Sequence, residues 1–347
     1  MTMHANKQSG FSLVELMVSI LLGLILMGGV LSIFFSSKVT YFANEKTARL
    51  QENGRVALDF LTHDLRSSGY QGCARNMEYT ATINSPASLL WSFVFPLQGF
   101  ESDGVGAYAP VLPIALNPAP LPDSDIMVVR TPLRDSRMMR VQTNLASGTA
   151  NIPVLNAVPA PVTTGQVMMI TNCEYYSIFQ VTGWTAGAPN GVIQHAIGGS
   201  NPGNLTNDLG TPYSRGARVL ALQTVIYYVA NDPVTGNPGL YRQTGAVQPA
   251  ELLIDDVQAL QIAYGEDTDS DRIANIYTTA NAVVNWYDVV SVTLSMLVRS
   301  NENGTNVDAN NYPMLTPAIG GRTLGPYNDR RQRMVFTTTI ALRNRVE

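Results

Sequence analysis

Three aspartates at alternate positions form the pattern in this 347-residue sequence that most directly suggests chemistry. Asp267, Asp269 and Asp271 occupy the first three ligand positions of a D-x-D-x-D calcium loop, in which carboxylate oxygens converge on one ion. Two residues depart from that pattern. Arg272 stands where the sharp turn prefers glycine, and Thr278 stands where a bidentate glutamate would complete the shell. The sequence therefore leaves two interpretations, a weak calcium site or a solvated acidic turn.

Residues for catalysis are scarce. The sequence contains three histidines, His4, His63 and His195, and it lacks G-x-S-x-G, H-E-x-x-H and paired C-x-x-C motifs. The sequence therefore lacks the motifs that build a nucleophile elbow or a zinc site. We therefore expect a protein that is not an enzyme, with histidines that are structural or exposed.

A single carboxylate interrupts a long apolar run near the N-terminus. From Phe11 to Ser37 the sequence holds 27 residues with Glu15 as the sole charge, enough for a helix to span a bilayer of about 30 Å. If the chain were cut after Gly10, Phe11 would carry a positive amine four residues before Glu15, and the two could pair within one chain or between neighbouring helices. The alternative is a plain transmembrane anchor with a carboxylate near its interface end.

The stretch G-F-S-L-V-E-L-M-V-S, Gly10 to Ser19, resembles the processing motif of type IV prepilins and type II secretion pseudopilins. The resemblance implies that residues 1–10 are a leader and that a prepilin peptidase cuts after Gly10 and methylates Phe11. It also implies that Glu15 guides subunit docking by neutralising the Phe11 amine of an adjacent subunit.

Helical periodicity continues beyond the apolar run. Leu50, Ala57, Leu58, Leu61 and Leu65 form one stripe, and glycine at position 69 is a plausible left-handed stop. The sequence thus predicts one helix over residues 11–68, with residues 11–37 as its transmembrane or filament-core half. The predicted fold is α+β, a pilin-like lollipop whose helix packs on a large antiparallel β-rich body over residues 69–347.

Alternation of apolar and polar residues predicts strands in that body. The predicted strands are 126–131, 166–171, 176–181, 218–230, 257–264, 288–299 and 333–343, and residues 231–239 are predicted to be the loop of a hairpin. The segment 288–299 is interpreted as a half-buried strand, and the stretch from Ala74 to Asp125 as a long loop.

The sequence contains two cysteines, Cys73 and Cys173. An even count in a chain that leaves the cytoplasm indicates one disulfide, with two buried thiols as the alternative.

The charge balance disfavours a nucleic-acid partner. The formal net charge is −4 and charged residues make up only 14% of the chain, compared with about a quarter in an average soluble domain. Arg330, Arg331 and Arg333 form a short basic run, interpreted as a solvated entry to the last strand, with contact to an acidic partner subunit as the less favoured alternative.

Three later stretches resemble the PilW family of type IV pilus minor pilins: GYQGC from Gly69, YGEDTDSD from Tyr264 and WYDVVSVTLSMLVRS from Trp286. The resemblance implies a subunit that joins other minor pilins, the major pilin and a PilY-type adhesin in a tip complex that primes pilus assembly for motility or adhesion. It also implies an inner-membrane location, with the body in the periplasm, before the subunit reaches the pilus tip. A large pseudopilin of a type II secretion system and a non-polymerising bitopic envelope protein that binds ligand or calcium remain alternatives.

Overall fold

The computed structural model describes residues 12–70, 78–84, 88–134, 138–155, 162–187, 190–301, 304, 307–316 and 321–346. The chain divides into two compact units, residues 1–49 and residues 50–347. The N-terminal helix α1 begins in the first unit and ends in the second.

Two α-helices and nineteen strands are found in the described ranges. The helices are α1 (Leu13–Ser67) and α2 (Arg343–Val346), with a short 3-10 helix at Ala280–Ala282. In chain order the first ten strands are β1 (Glu78–Ala81), β2 (Leu97–Ser102), β3 (Tyr108–Ala109), β4 (Ile126–Pro132), β5 (Met139–Val141), β6 (Ile152–Leu155), β7 (Val167–Thr171), β8 (Tyr175–Gln180), β9 (Gly183–Ala186) and β10 (Gly191–Gln194). The nine strands that follow are β11 (Arg218–Asn231), β12 (Pro238–Thr244), β13 (Glu251–Asp255), β14 (Val257–Glu266), β15 (Ile276–Thr278), β16 (Val289–Arg299), β17 (Tyr312–Met314), β18 (Arg322–Leu324) and β19 (Arg333–Ala341).

The C-terminal half of α1 packs on the β-rich body through one stripe. Leu50, Ala57, Leu61 and Leu65 are buried and Leu58 packs against the same core, as helical spacing predicts. Gly54 lies in the same stripe, and an added Cβ there would collide with the Phe336 ring of β19. The helix ends where predicted, because Gly69 adopts a left-handed φ of 67° two residues after Ser67.

The 14-residue strand β11 is the centre of the large sheet. Its first residues pair with β7 and β5, and its later residues pair with β4 and β12, so one strand belongs to two groups of neighbours. Both groups are connected through it into a sheet of thirteen strands among the described residues. The β11–β12 hairpin turns at residues 232–237, which confirms the predicted hairpin loop.

A second sheet has the order β15-β14-β16-β19 and closes the main core from its other side. Its strand β16 was expected to be half-buried, and this prediction is wrong. Residues 289–298 are buried on both faces, because one face packs into the main core and the other lies against the cluster that contains Met314 of β17 and Leu324 of β18. On that face Ser295 and Thr293 bond to threonine hydroxyls of β19, and Ser295 also contacts Met314 of β17.

All seven predicted strands are present, and the α+β class is confirmed. Two details differ from expectation. The stretch from Ala74 to Asp125 is not one long loop, since it contains β1, β2 and β3, whose short runs are broken by glycine and proline and carry little alternation. The body is not wholly antiparallel either, because β1 pairs with β8 in parallel.

Candidate functional site: the N-terminal helix and the acidic loop

Glu15 lies in the first turn of α1 and is exposed. Ser12 precedes the helix, and its Oγ accepts a hydrogen bond from the Glu15 backbone N–H at 3.3 Å. Ser12 is therefore the N-cap, and Ser12 with Glu15 forms the S-x-x-E pattern of a capping box. A carboxylate in this turn is also favoured by the positive end of the helix dipole. The sequence signal for this cap is the S-x-x-E spacing of Ser12 and Glu15, which the sequence analysis does not use.

The helix beyond Glu15 presents apolar side chains on every side. Each large hydrophobic side chain from Leu13 to Phe42 is 45 to 75% exposed within the chain. By length and composition α1 is able to cross a membrane. A helix that is apolar all round needs lipid or other chains to cover it, so this segment is a binding surface in its own right. Gly10 and Phe11, where cleavage and methylation are predicted, lie outside the described residues.

The three aspartates predicted to bind calcium come together in the loop between β14 and β15. One carboxylate oxygen from each of Asp267, Asp269 and Asp271 lies within 4.8 Å of the others. Oxygens that bind one Ca²⁺ ion lie about 2.3–2.6 Å from it, so oxygens this close can contact the same ion. Asp269 and Asp271 are exposed and Asp267 is half-buried. The residues thus fit a hard oxygen site that is open to solvent.

One of the two departures from the calcium pattern does not prevent the loop from forming its sharp turn. Arg272, at the position that prefers glycine, adopts a left-handed φ of 74°, so the sharp turn forms without glycine. The other departure remains. Thr278 lies in β15 opposite Tyr264 and cannot supply a bidentate carboxylate. Desolvation raises the pKa of Asp267, but hydrogen bonds from the Arg272 and Ser270 N–H groups outweigh it and hold that pKa below its usual range.

Other predicted residues lie apart from these features. Cys173 lies in the turn between β7 and β8, whereas Cys73 lies outside the described residues, so the disulfide stays a prediction. His195 is buried with its Nε2 2.9 Å from the Ala150 carbonyl oxygen, and burial lowers its pKa. His63 is exposed on α1, so the structure does not bring these two histidines together with the aspartate cluster.

A buried polar contact that the sequence did not predict connects α1 to the large sheet. Asp64 of α1 is 3% exposed, and one of its oxygens accepts a 2.6 Å hydrogen bond from the Tyr227 hydroxyl of β11. Its other carboxylate oxygen lies 3.5 Å from Arg134 Nη2. Burial and the Asp64 charge together raise the pKa of Tyr227. Asp64 thus fixes the helix on the body by a charge-assisted bond inside the core.

A second buried carboxylate connects the two sheets. Asp125 Oδ1 accepts the N–H of Ser102 in β2 at 3.0 Å, and Oδ2 accepts the N–H of Ile262 in β14 at 2.9 Å. Burial and the nearby Glu101 charge raise the pKa of Asp125 well above its usual range. Burial raises the pKa of Glu101 to about 7, although Arg322 and a backbone N–H oppose this shift. Asp125 and Glu101 therefore both hold their protons more tightly than ordinary carboxylates do.

The basic run before the last strand is only partly solvated: Arg330 is exposed as predicted, but the prediction is wrong for Arg333. The Arg333 side chain is 1% exposed, with Nη1 2.8 Å from Asp308 and Nη2 2.6 Å from Asp329. Its guanidinium lies 4.0 Å from the centre of the Tyr327 ring. Asp329, four positions before Arg333, and Asp308, 25 positions before it, both pair with the guanidinium, so the Arg333 side chain is part of the interior.

Two family models match the sequence. The prokaryotic N-terminal methylation motif matches residues 5–31, a range that includes Gly10, Phe11 and Glu15. The model described as Type IV Pilus-assembly protein W matches residues 226–344, from the second half of β11 to α2. Together they cover the two ends of the chain.

Among solved structures, one match is a type IV-like pilin from Thermus thermophilus. It is 16% identical, the match covers 53% of this chain and 86% of that one, and the TM-score is 0.25. A TM-score of this size does not establish a shared fold. No match was found among curated proteins.

Proposed function

We propose that the chain is a minor structural subunit of a type IV pilus, a proposal supported by its matches to the PilW model and to the N-terminal methylation motif. The observation that carries the proposal is the first half of α1. It combines the methylation motif, a carboxylate in its first turn and an apolar surface that none of the described residues covers. A subunit of this kind performs no reaction and is itself the substrate of a prepilin peptidase.

In the proposed function, Glu15 positions the subunit along the filament. A carboxylate removed from water without a partner costs several kcal/mol. Cleavage after Gly10 would give Phe11 a positive amine, and the amine of an adjacent subunit would neutralise Glu15 in one register only. Before assembly, the same apolar segment anchors the subunit in the inner membrane with its body in the periplasm.

We propose further that the body joins a complex at the pilus tip with other minor pilins and a PilY-type adhesin. The match to the PilW model over residues 226–344 supports this finer role by family resemblance. The same N-terminal motif also occurs in type II secretion pseudopilins, so the experiment must separate the two machines.

The first experiment counts sheared surface pili in a strain that lacks the gene and measures secretion of a type II exoprotein in parallel. We expect few or no pili with secretion intact. Normal pili with blocked secretion would assign the chain to the pseudopilins. Normal pili with normal secretion would contradict both roles and favour an envelope protein that does not polymerise.

Complementation with Glu15→Val tests the docking residue. The variant should be cleaved after Gly10 but should fail to restore pili, because the Phe11 amine of its neighbour has no carboxylate to meet. Glu52→Val, at an exposed position of the same helix in the second unit, is the matched control and should restore pili. Wild-type pilus numbers with Glu15→Val would disprove the docking role.

A further inference from the structure

The last strand of the body, β19, has a free edge. In the four-stranded sheet β19 pairs with β16 on one side, and no strand pairs with its other side among the described residues. We propose that this edge is a strand-addition site that takes an extended, uncharged strand from a neighbouring pilin subunit. The identity of the partner class rests on the proposed function, whereas the existence of the edge does not.

The register of the sheet shows which backbone groups of β19 face outward. At the ends of the pairing, Leu342 N–H donates to the Val290 carbonyl and Ser300 N–H donates to the Gln332 carbonyl. Because hydrogen-bonded pairs alternate in an antiparallel ladder, the even-numbered residues of β19 direct their N–H and C=O groups toward β16. The odd-numbered interior residues therefore direct theirs to the open edge, and these are Val335, Thr337 and Thr339.

Edge strands are usually guarded against pairing by charges, proline, bulges or short length. β19 has nine residues, and from Met334 to Ala341 it contains no charged residue, no proline and no glycine. Its register with β16 runs without a shift. Its one charged residue, Arg333, is buried against Asp308 and Asp329 and does not guard the edge. The strand therefore presents open backbone donors and acceptors on a regular, unguarded edge.

The surroundings of the edge indicate what covers it. The residues of α1 from Gly54 to Ser68 follow β19 in the same direction, since the Phe336 ring packs at Gly54 and Asn344 Nδ2 donates to the Ser68 carbonyl at 2.9 Å. A strand added to β19 would therefore lie near residues 54–68 of α1, the part of the body that precedes it in the chain and continues directly from the segment that the proposed function assigns to the filament. Because the edge offers no free charge to pair with, a charged residue of the partner strand would lose water without compensation, so the partner strand is uncharged.

Photo-crosslinking in piliated cells tests the occupant. The full-length chain carries p-benzoylphenylalanine in place of Thr339, which is exposed on β19, or in place of Val234, which is 90% exposed in the β11–β12 hairpin loop. We expect an adduct from position 339, and not from 234, whose mass and peptides identify a second protein with a prepilin motif. An adduct with a second copy of this chain alone, or no adduct from chain incorporated in pili, would overturn the proposal.

A proline scan of the strand separates edge pairing from folding. Thr337→Pro removes an outward N–H together with the hydroxyl bond to Ser295, whereas Thr337→Val removes the hydroxyl bond alone. Both variants should keep the fold of the body, and only the proline variant should lower the position-339 adduct, by at least about tenfold. Thr338→Pro removes an N–H that faces β16 and should unfold the sheet. This variant checks that even-numbered residues of β19 face β16 and odd-numbered residues face the open edge. If Thr337→Pro is folded and the adduct persists, the edge is not the site of pairing.

The outcomes also separate this proposal from the proposed function. If the deletion strain keeps normal pili, the pilus role fails whatever the adduct contains. If pili require the chain but position 339 gives no adduct, the edge proposal alone fails.

Discussion

The Tyr227 hydroxyl donates a 2.6 Å hydrogen bond to Asp64, joining the central strand of the body to the helix that leads toward the N-terminus. Both residues are buried, and Arg134 is the second partner of the carboxylate. The position of α1 on the body thus depends on a polar bond within the core as well as on the apolar stripe.

Tyr227→Phe should lower the free energy of unfolding of the protein by about 1–3 kcal/mol, because Asp64 stays buried while it loses a hydrogen bond. Tyr228→Phe is the matched control, since Tyr228 is the next residue in the same strand and its buried hydroxyl has no hydrogen-bond partner in the described structure. That control should leave stability unchanged or raise it. Chemical denaturation of the two variants measures both values, and equal losses would contradict a specific role for the Asp64 bond.

Stability should depend on pH through Glu101. Burial raises its pKa from 4.5 to about 7 in the folded protein, so the folded state holds this proton more tightly than the unfolded state does. The contribution to stability is fully present below pH 4.5 and is lost as the pH rises through about 7. Thermal melting of wild type and Glu101→Gln between pH 5 and 8 should show a smaller decline in the variant. The exposed Glu174→Gln is the control, and identical pH profiles for all three proteins would contradict this assignment.

Calcium at millimolar concentration should raise the melting temperature of the protein, because only three carboxylates converge and such a site binds weakly. Asp269→Ala should remove the shift. Asp232→Ala should keep it, since Asp232 accepts hydrogen bonds in a separate hairpin loop and is not part of the cluster. A melting curve indifferent to both calcium and EDTA would favour the solvated acidic turn.

The disulfide prediction is tested by alkylation. In protein denatured without reductant, neither Cys73 nor Cys173 should be labelled, whereas reduction should expose both. Quantitative labelling of both residues before reduction would refute the bridge and support the two-thiol alternative.

Local signals predicted most of the secondary structure. The apolar run, the stripe from Leu50 to Leu65 and Gly69 together predicted α1 to within two residues at its start and one at its end. Period-two alternation predicted long strands such as β11 and β16, because each buries at least one face against the core. Glu15 was identified for the same reason, since a lone charge in an apolar run is costly and therefore conspicuous.

Tertiary partners were not predictable from one sequence. Asp64 and Tyr227 are 163 positions apart, and nothing in either local pattern indicates the other. The basic neighbours Arg330 and Arg331 favour a solvated Arg333, but its buried side chain pairs with Asp308, which is 25 positions away, as well as with the nearby Asp329. The short strands β1 to β3 have too few alternating residues to be predicted. Their conformation depends on pairing, of β1 with β8, of β2 with β4 and of β3 with β2.

The most direct test of a processed pilus subunit is the intact mass of the chain recovered from sheared pili. The proposed function predicts a chain that begins at Phe11, carries one methyl group on its amine and is present at far fewer copies than the major pilin. An uncleaved chain that stays in the inner membrane and is absent from sheared pili would contradict it.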